Sequence, residues 1–304
     1  MLGIAVISYN RISSVLNVIY NVFKYTRSPF EFVVADDGSS DDSRAIIEAM
    51  GHRVVSGKNR GVCWNKNRAI FYLKCIKLCT SIILIEDDSW PIAVGWEADW
   101  IKAIQYYGHV NLAGNWFSDS FISGSGTPDD PIFSKVVSGQ CIGYSAEALS
   151  YVGYLDTRFQ GYGIGHVEHS KRFLRAGYGG LLRPTDSGLL PQFILIKSNI
   201  RVTDPGSGRI ELQIQRNEKL LSEINGEPVF RAPWRSDAEM AQFRSEIRAA
   251  QNFANSGAFD EEFYVKNYKD VANAISSGSF SSGEQHYLSY GQYEFRLMRK
   301  RAYL

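Results

Sequence analysis

Hydrophobic positions in the first ninety residues alternate between two spacings. Residues 2–8, 30–35 and 81–85 are short apolar runs, the pattern of buried strands. Residues 13–24 carry apolar side chains at helical spacing, and residues 62–78 predict a second, longer helix. Strands that alternate with helices in this rhythm predict a parallel, right-handed α/β sheet with helices on its faces.

Shorter and less regular elements complete the prediction. A helix over residues 45–50, capped by Asp41 or Asp42, precedes a short strand at 53–55. Later we predict a strand near 134–144 and helices at 146–151 and 167–176. A passage rich in Pro, Gly and Arg, residues 203–209, then leads to a polar, helix-prone tail with a helix over 238–253 and a separate helical module from Gly257.

This pattern divides the chain into an α/β domain over residues 1–232 and a helical extension over residues 233–304. Every motif discussed below lies before residue 180. We therefore expect the extension to be separable from the chemistry and to serve as a docking or oligomerisation module for a second copy or another protein.

The amino-acid composition limits the classes of protein and of cellular compartment that the chain fits. The 304 residues are 44% hydrophobic, enough for a sizeable core, and 33 Lys and Arg against 32 Asp and Glu give no general attraction to nucleic acid. Four irregularly spaced cysteines predict neither a disulfide framework nor a zinc site. With no leader-like start and no apolar run of about eighteen residues, we expect a cytoplasmic protein without a membrane span, able to work at the inner membrane face.

Three adjacent acids, Glu86, Asp87 and Asp88, end the apolar run at 81–85. Holding three carboxylates together is unfavourable unless a cation neutralises them, and hard oxygen ligands suit Mn²⁺ or Mg²⁺. A solvated acidic turn is the alternative explanation.

A second acidic pair, Asp36 and Asp37, ends the neighbouring strand and runs into a Gly-Ser-Ser turn. Turn formation and helix capping explain such a pair equally well. Two acidic strand ends at one edge of a sheet, however, predict a pocket where one carboxylate accepts hydrogen bonds from a nucleobase and the other binds a metal-bound diphosphate.

Four motifs in order, at residues 7–11, 33–39, 59–61 with 67–68, and 85–88, resemble the family 2 glycosyltransferases of the GT-A fold, of the bacterial surface-polysaccharide type. The resemblance implies a Rossmann-like, mostly parallel sheet flanked by helices. It implies that Asp37, with Asp36 nearby, binds the nucleoside, that Asp88 holds the metal, and that Glu86 and Asp87 face the ribose and diphosphate. The nucleotide-sugar site expected in full is Ser8, Tyr9, Asn10, Arg11, Asp36, Asp37, Asn59, Arg68, Glu86 and Asp87. Lys66 is an alternative to Arg68, and a helix-surface salt bridge is the other explanation for either.

The family's acid pair, which supplies the catalytic base, falls here on Gly165 and His166. His166 is one candidate base because imidazole titrates near neutral pH, and Glu168 is the other. Either His166 or His169 could instead complete a metal site with Asp88 and Glu86. The structural alternative is that these histidines pack or cap a helix.

The resemblance implies a metal-dependent, inverting glycosyltransferase that moves a hexosyl or N-acetylhexosaminyl group from a nucleotide sugar, most simply a UDP-sugar, to a glycan or lipid-linked glycan acceptor in polysaccharide biosynthesis. The altered acid pair motivates an alternative, a catalytically degenerate protein that binds a nucleotide sugar or glycan. A sugar-phosphate nucleotidyltransferase fits less well because the first strand leads into Ser8 to Arg11 and not into a Gly-rich phosphate loop.

Overall fold

The computed structural model describes residues 1–161, 163–186, 188–203, 211–252, 259–291, 294 and 296–299. Most of the Pro/Gly/Arg-rich passage at 203–209, Phe253, and the predicted start of the tail module at Gly257 lie outside these ranges. Tyr162, in the loop before the altered acid pair, does so too.

A ten-stranded mixed sheet forms the centre of the molecule, in the order β3-β2-β1-β4-β9-β6-β11-β8-β7, with β10 paired to β11. Its first four strands are mutually parallel, whereas β9 runs antiparallel to both β4 and β6. Strands β5 and β12 form a separate two-stranded sheet. The strand bounds are β1 Leu2–Ser8, β2 Phe30–Asp36, β3 Val54–Ser56, β4 Ser81–Glu86, β5 Ser89–Pro91, β6 His109–Leu112, β7 Phe121–Ser123, β8 Ile132–Ser134, β9 Cys141–Ser145, β10 Gly180–Thr185, β11 Gly188–Ile196 and β12 Ile200–Val202.

Helices cover both faces of this sheet, which confirms the predicted α/β architecture. Their bounds are α1 Ile12–Tyr25, α2 Ser43–Ala49, α3 Val62–Phe71, α4 Glu97–Tyr107, α5 Ala146–Val152, α6 Gly165–Arg175, α7 Glu211–Ile224, α8 Asp237–Asn252, α9 Glu261–Asn267, α10 Lys269–Ser276 and α11 Gly283–His286. A π-helical turn at Tyr72–Ile76 extends α3, and another at Tyr287–Gly291 extends α11.

Strand β1 is buried along its whole length because it lies between two apolar layers. Ile4 and Val6 belong to the layer that α1 and α4 cover, and Ala5 and Ile7 belong to the layer that α3, α5 and α8 cover. Burial on both faces of the sheet therefore explains the continuous apolar run at 2–8, as the sequence pattern predicted.

Several predicted bounds are wrong. The single strand expected near 134–144 is two strands, β8 and β9, because residues 135–140 leave the sheet. The helix expected to reach residue 78 ends earlier, since Leu78 adopts a positive φ of 54° that a right-handed helix does not allow. Asp42 makes no capping bond to α2, whereas the Asp41 carboxylate accepts from the Ser43 N–H at 3.1 Å.

Helix α8, which follows the predicted division at residue 232, packs against the α/β part of the chain. Phe243, Ile247 and Ala250 of α8 are buried in the same apolar layer as Trp64 of α3. Helix α8 therefore contributes to the main core, while the division at residue 232 stays a prediction.

The residues after 259 form a smaller cluster of their own. Tyr264, Val271, Tyr287 and Met298 pack together there. The cluster is joined to the end of α2, where the Met298 N–H donates to the Ala49 carbonyl at 2.7 Å.

Candidate functional site

The acidic residues singled out from the sequence lie at the ends of β2 and β4, the two strands that flank β1. In the parallel register Ser8 of β1 stands opposite Asp36 of β2, and Ile7 of β1 stands opposite Glu86 of β4. Asp37 and Asp87 follow these positions directly. The carboxyl edge of the sheet therefore brings both acidic motifs together, as predicted.

Asp36 belongs to the turn that follows β2. Its carboxylate accepts from the Ser56 hydroxyl at 2.7 Å, from the Ser39 N–H at 3.1 Å and from the Ser39 hydroxyl. These three bonds fix the turn, which is the role that turn chemistry alone would assign to Asp36.

Asp37 is buried and holds the segment before α3. Its carboxylate accepts from the backbone N–H groups of Arg60 at 3.1 Å and Gly61 at 2.8 Å, and from Arg68 Nη1 at 3.0 Å. Burial raises the pKa of Asp37, and the N–H donors and Arg68 oppose that rise. Two bonds reach Oδ1 and one reaches Oδ2, so Oδ2 retains a lone pair for a further donor.

Arg68 lies beneath Asp37 and is fully buried. Besides Asp37, it donates to the Lys58 carbonyl at 2.9 Å and to Glu246 of α8 at 2.9 Å. The sequence suggested that Arg68 contacts the nucleotide or forms a salt bridge on the helix surface. In the structure, Arg68 is instead buried and supports Asp37 from inside the protein.

The loop after β1 contributes to both motifs. The Ser8 hydroxyl donates to Asp87 at 2.9 Å, and Arg11 Nη1 donates to the other oxygen of Asp87 at 3.1 Å. Asn10 has a positive φ of 53°, and its side-chain oxygen accepts from the Ser40 N–H at 2.7 Å. The loop thereby ties the two acidic strand ends to one another.

Tyr9 and Asn59 are predicted site residues that lie on the protein surface. Tyr9 is exposed, and Asn59 is exposed in the segment that precedes Gly61. Both stay predictions as nucleotide contacts.

The three carboxylates of the triplet have different partners. Glu86 pairs with the buried ammonium of Lys66 at 2.5 Å, and Asp87 pairs with Arg11. Asp88 accepts only from neutral groups within the described residues, the Ser89 hydroxyl at 2.8 Å and the Gln140 amide at 3.5 Å. Burial, together with the charge of Glu86, raises the pKa of Asp88 to about 6.

Asp88 is therefore the carboxylate of the triplet that lacks a cation, which fits the predicted metal position. Within the part of the chain that the structure describes, no three His, Cys, Asp or Glu side chains converge as a ready metal site. A metal at Asp88 would thus need most of its oxygen ligands from elsewhere, and a diphosphate provides them.

His166 lies beside Gly139, whose carbonyl accepts from the same Lys66 ammonium that pairs with Glu86. Its Nε2 is 3.2 Å from the Val137 carbonyl, so Nε2 carries the proton and Nδ1 carries the lone pair. Burial, and next the charge of Lys66, lowers the pKa of His166 to about 4, which makes the imidazole neutral at pH 7. A Cβ added at Gly139 would meet Nδ1 at 3.0 Å, so the ring occupies space that this glycine leaves open.

Glu168 and His169 are engaged inside the protein. Glu168 is buried and binds Arg172 through both oxygens, at 2.7 and 2.9 Å. The two nitrogens of His169 face the Gly153 carbonyl at 3.1 Å and the Tyr144 hydroxyl at 3.4 Å. In this arrangement Glu168 is the counter-ion of a buried guanidinium and His169 is a packed core histidine, so neither faces Asp88.

Three further residues complete the site, and the sequence did not single out their roles. Asn65 donates to the carbonyls of Ala35 and Ser8 at 2.8 and 3.3 Å and so joins two strand ends. Gln140 contacts Asp88, and Glu246 contacts Arg68. Asn65 had a local signal, because it lies in the first turn of the helix that follows the Asn59-Arg60-Gly61 motif, whereas Glu246 had none.

A pocket of about 310 Å³ lies elsewhere, beside Asp156, Arg158, Glu227, Arg231 and Trp234. The carboxylates of Asp156 and Glu227 form ion pairs with Arg158 and Arg231, so the charged groups of this pocket neutralise one another. We therefore assign the candidate site to the acidic strand ends. No helix in the described ranges combines the length and the hydrophobicity required to cross a bilayer.

Comparison with known proteins agrees with the motifs. Residues 3–115 match the family model for glycosyl transferase family 2. This stretch contains the Asp36–Asp37 pair and the acidic triplet, and it supports the predicted family resemblance over those motifs. No curated protein matches the chain.

Several solved structures contain chains similar to this one. The structure of GalNAc-T7 with UDP, GalNAc and Mn²⁺ superposes with a TM-score of 0.52 at 15% identity, over 91% of this chain and 57% of that one. The mannosyltransferase PcManGT from Pyrobaculum calidifontis, in complex with GDP-Man and Mn²⁺, is 13% identical over 97% of this chain and 84% of its own, with a TM-score of 0.49. S. aureus TarS 1-349 in complex with UDP is 16% identical over 87% and 75%, with a TM-score of 0.46. The first of these likenesses confirms the GT-A fold expected from the motifs.

Proposed function

We propose that the protein is a metal-dependent, inverting glycosyltransferase that uses a nucleotide-sugar donor, with a UDP-sugar as the first candidate. One observation carries the proposal: Asp37 and the uncompensated carboxylate of Asp88 follow the two strands that flank β1, at the same carboxyl edge of the sheet. A nucleoside diphosphate has a base with N–H donors and a diphosphate that recruits a cation, and it matches both features.

In this proposal Asp37 accepts a hydrogen bond from the nucleobase through Oδ2, while its other bonds hold the carboxylate in place. Asp88 would hold Mn²⁺ or Mg²⁺, which when bound supplies charge stabilisation to the departing diphosphate. Lys66 fixes Glu86 at the edge of the same site. Arg11, half exposed beside Asp87, orients that carboxylate.

His166 is the residue that we propose as the base for the acceptor hydroxyl. It is neutral at pH 7, and its Nδ1 lone pair has no partner among the described residues. Glu168 is less suitable because its two oxygens are bound to Arg172. A low pKa makes His166 a weak base, so its contribution depends on orientation more than on basicity.

The acceptor that we propose is a hydroxyl of a glycan or lipid-linked glycan, and the transferred group is a hexosyl or N-acetylhexosaminyl residue. The helices after residue 259 remain a candidate docking or oligomerisation element, because they form their own small cluster.

Calorimetry with UDP, GDP and their sugars, with and without Mn²⁺, tests the donor part of the proposal. We expect one nucleotide to bind with Mn²⁺ and to bind much more weakly in EDTA. Transfer or slow hydrolysis of the matching donor would then establish turnover. Binding without any hydrolysis or transfer favours the second candidate, a catalytically degenerate protein that binds a nucleotide sugar or glycan, for which the altered acid pair at Gly165 and His166 is the specific argument.

A further inference from the structure

Helix α8 lies directly against the residues that hold Asp37. Its Glu246 carboxylate accepts from Arg68 Nε at 2.9 Å and from Trp64 Nε1 at 3.1 Å. Arg68 Nη1 donates in turn to Asp37 at 3.0 Å. One guanidinium therefore joins α8 to the carboxylate at the end of β2.

Each member of this series is withdrawn from solvent. The Arg68 side chain has no exposed surface, and the side chains of Asp37 and Glu246 are 6% and 9% exposed. A buried guanidinium has a large desolvation cost and requires well-placed acceptors. Because its fork is planar, an acceptor that fixes Nε also fixes the direction of Nη1. The position of Glu246 thus sets the direction from which Arg68 meets Asp37.

A second set of contacts links α8 to the same carboxylate. Arg60 donates to Glu239 at 2.6 Å and to Gln242 at 3.1 Å, and its guanidinium lies 3.9 Å from the centre of the Trp64 ring. The backbone N–H of Arg60 is one of the donors to Asp37. Helix α8 therefore holds the side chain of the residue whose backbone holds Asp37.

The approach of α8 to this segment is close. A Cβ added to Gly57 would lie 2.2 Å from Glu246 Oε1 and 2.7 Å from Arg68 Nη2. Only glycine leaves room for that contact. Gln242 also donates to Glu246 Oε1 at 3.0 Å, which fixes the carboxylate on its own helix.

We infer that Glu246 is a positioning residue of the nucleoside pocket, which orients Arg68 and through it the Asp37 carboxylate. The inference rests on the proposed function, in which Asp37 binds the nucleobase. Glu246 is 178 positions from Arg68 in the sequence and belongs to the tail that composition alone separates from the site.

The test compares two ligands in one titration series. Glu246→Gln keeps the shape and one acceptor oxygen but removes the charge. We expect this variant to bind UDP with Mn²⁺ about tenfold more weakly, since one charge-assisted hydrogen bond is loosened, and to bind inorganic pyrophosphate with Mn²⁺ within about twofold of the parent. Glu223→Gln, the same change at an exposed position of α7, is the matched control and should alter neither affinity.

The outcomes separate the two claims. A parent protein that binds no nucleotide with Mn²⁺ contradicts the proposed function and the inference together. A parent that binds UDP, with a Glu246→Gln variant that binds it equally well, overturns the inference alone. Equal losses for UDP and pyrophosphate also overturn it, because a general structural defect does not discriminate between base and phosphate.

A double variant provides a further check. If Glu246 acts through Asp37, adding Glu246→Gln to Asp37→Asn should weaken UDP binding by less than it does in the parent, whereas full additivity contradicts the inference. Should Glu246→Gln fail to fold, Gln242→Ala removes only the bonds to Arg60 and Glu246 and should reduce UDP affinity about threefold with pyrophosphate unchanged. Unchanged UDP affinity in that variant overturns the inference.

Discussion

Replacing Asp88 with asparagine should stabilise the metal-free protein at neutral pH and remove its metal-dependent nucleotide binding. Burial and the neighbouring Glu86 charge raise the pKa of the Asp88 carboxyl from 3.8 to about 6. The ionised form is therefore disfavoured in the folded protein by about 3 kcal/mol, at about 1.4 kcal/mol per pKa unit. Losing one acceptor for Ser89 or Gln140 offsets about 1 kcal/mol of this gain. We expect a net stabilisation of about 2 kcal/mol.

The effect has a defined pH dependence. Because the folded-state pKa of Asp88 lies above the unfolded value, the folded protein binds the extra proton between pH 3.8 and about 6. The stability of the parent falls as pH rises through that window, and the penalty is complete above it. Asparagine carries no charge, so its advantage should be largest at pH 7 and above. Near pH 4 the penalty is smaller than the loss of the acceptor, and the variant should be no more stable than the parent.

Thermal unfolding in EDTA at pH 7.5 and pH 4 measures this difference, and calorimetry with UDP and Mn²⁺ measures the loss of binding. Asp87→Asn is the matched control. It also removes a charge from the triplet, but it breaks the bonds to Ser8 and Arg11 and should not stabilise the protein. A metal-free Asp88→Asn protein that is less stable than the parent at pH 7.5, or one that binds UDP with Mn²⁺ as the parent does, would refute the reasoning.

Three further predictions follow from the same contacts. Glu168→Gln leaves the buried guanidinium of Arg172 without its counter-ion and should cost about 3 to 5 kcal/mol in denaturant unfolding, so an unchanged midpoint would contradict the structural role. His166→Ala should lower turnover by about two to four orders of magnitude with UDP affinity nearly unchanged, whereas a parallel loss of affinity would point to donor binding instead. Truncation after Arg231 removes Phe243 from the main core and should abolish cooperative unfolding, and a truncated chain that folds and binds UDP would restore the predicted domain division.

The sheet edge could be predicted because its signals are local. Apolar runs, helical periods and acidic turns each depend on a few neighbouring residues, and parallel connections bring successive strand ends to one edge. The two acidic motifs were therefore predictable from local signals, and the family resemblance singled out Asp37 and Asp88 within them. The different environments of the three acids in the triplet could not be predicted. Glu86 and Asp87 each pair with a cation and Asp88 does not, and this difference depends on the positions of the Lys66 and Arg11 side chains in the fold.

The contributions of α8 could not be predicted for the same physical reason. Its apolar positions indicate a helix with a buried face, but periodicity does not say which surface that face covers. Glu246 looks like any polar residue of an amphipathic helix until the fold brings it to Arg68. The Pro- and Gly-rich passage before the tail suggested a boundary, although packing across it depends on residues far apart in the sequence.

We propose that the altered acid pair keeps a proton acceptor in the form of His166. The resemblance puts the family's catalytic acid at position 166, where this chain has His166, and puts the other member of the pair at Gly165. A Cβ at Gly165 would lie 2.4 Å from Cys63 Sγ, so the packing leaves no space for a side chain there, whereas Gly139 provides room for the His166 ring. The contact of His166 Nε2 with the Val137 carbonyl fixes the tautomer and the direction of the ring. The packing on both sides of the pair therefore favours His166, and not a vacated position, as the proton acceptor of the proposed transfer.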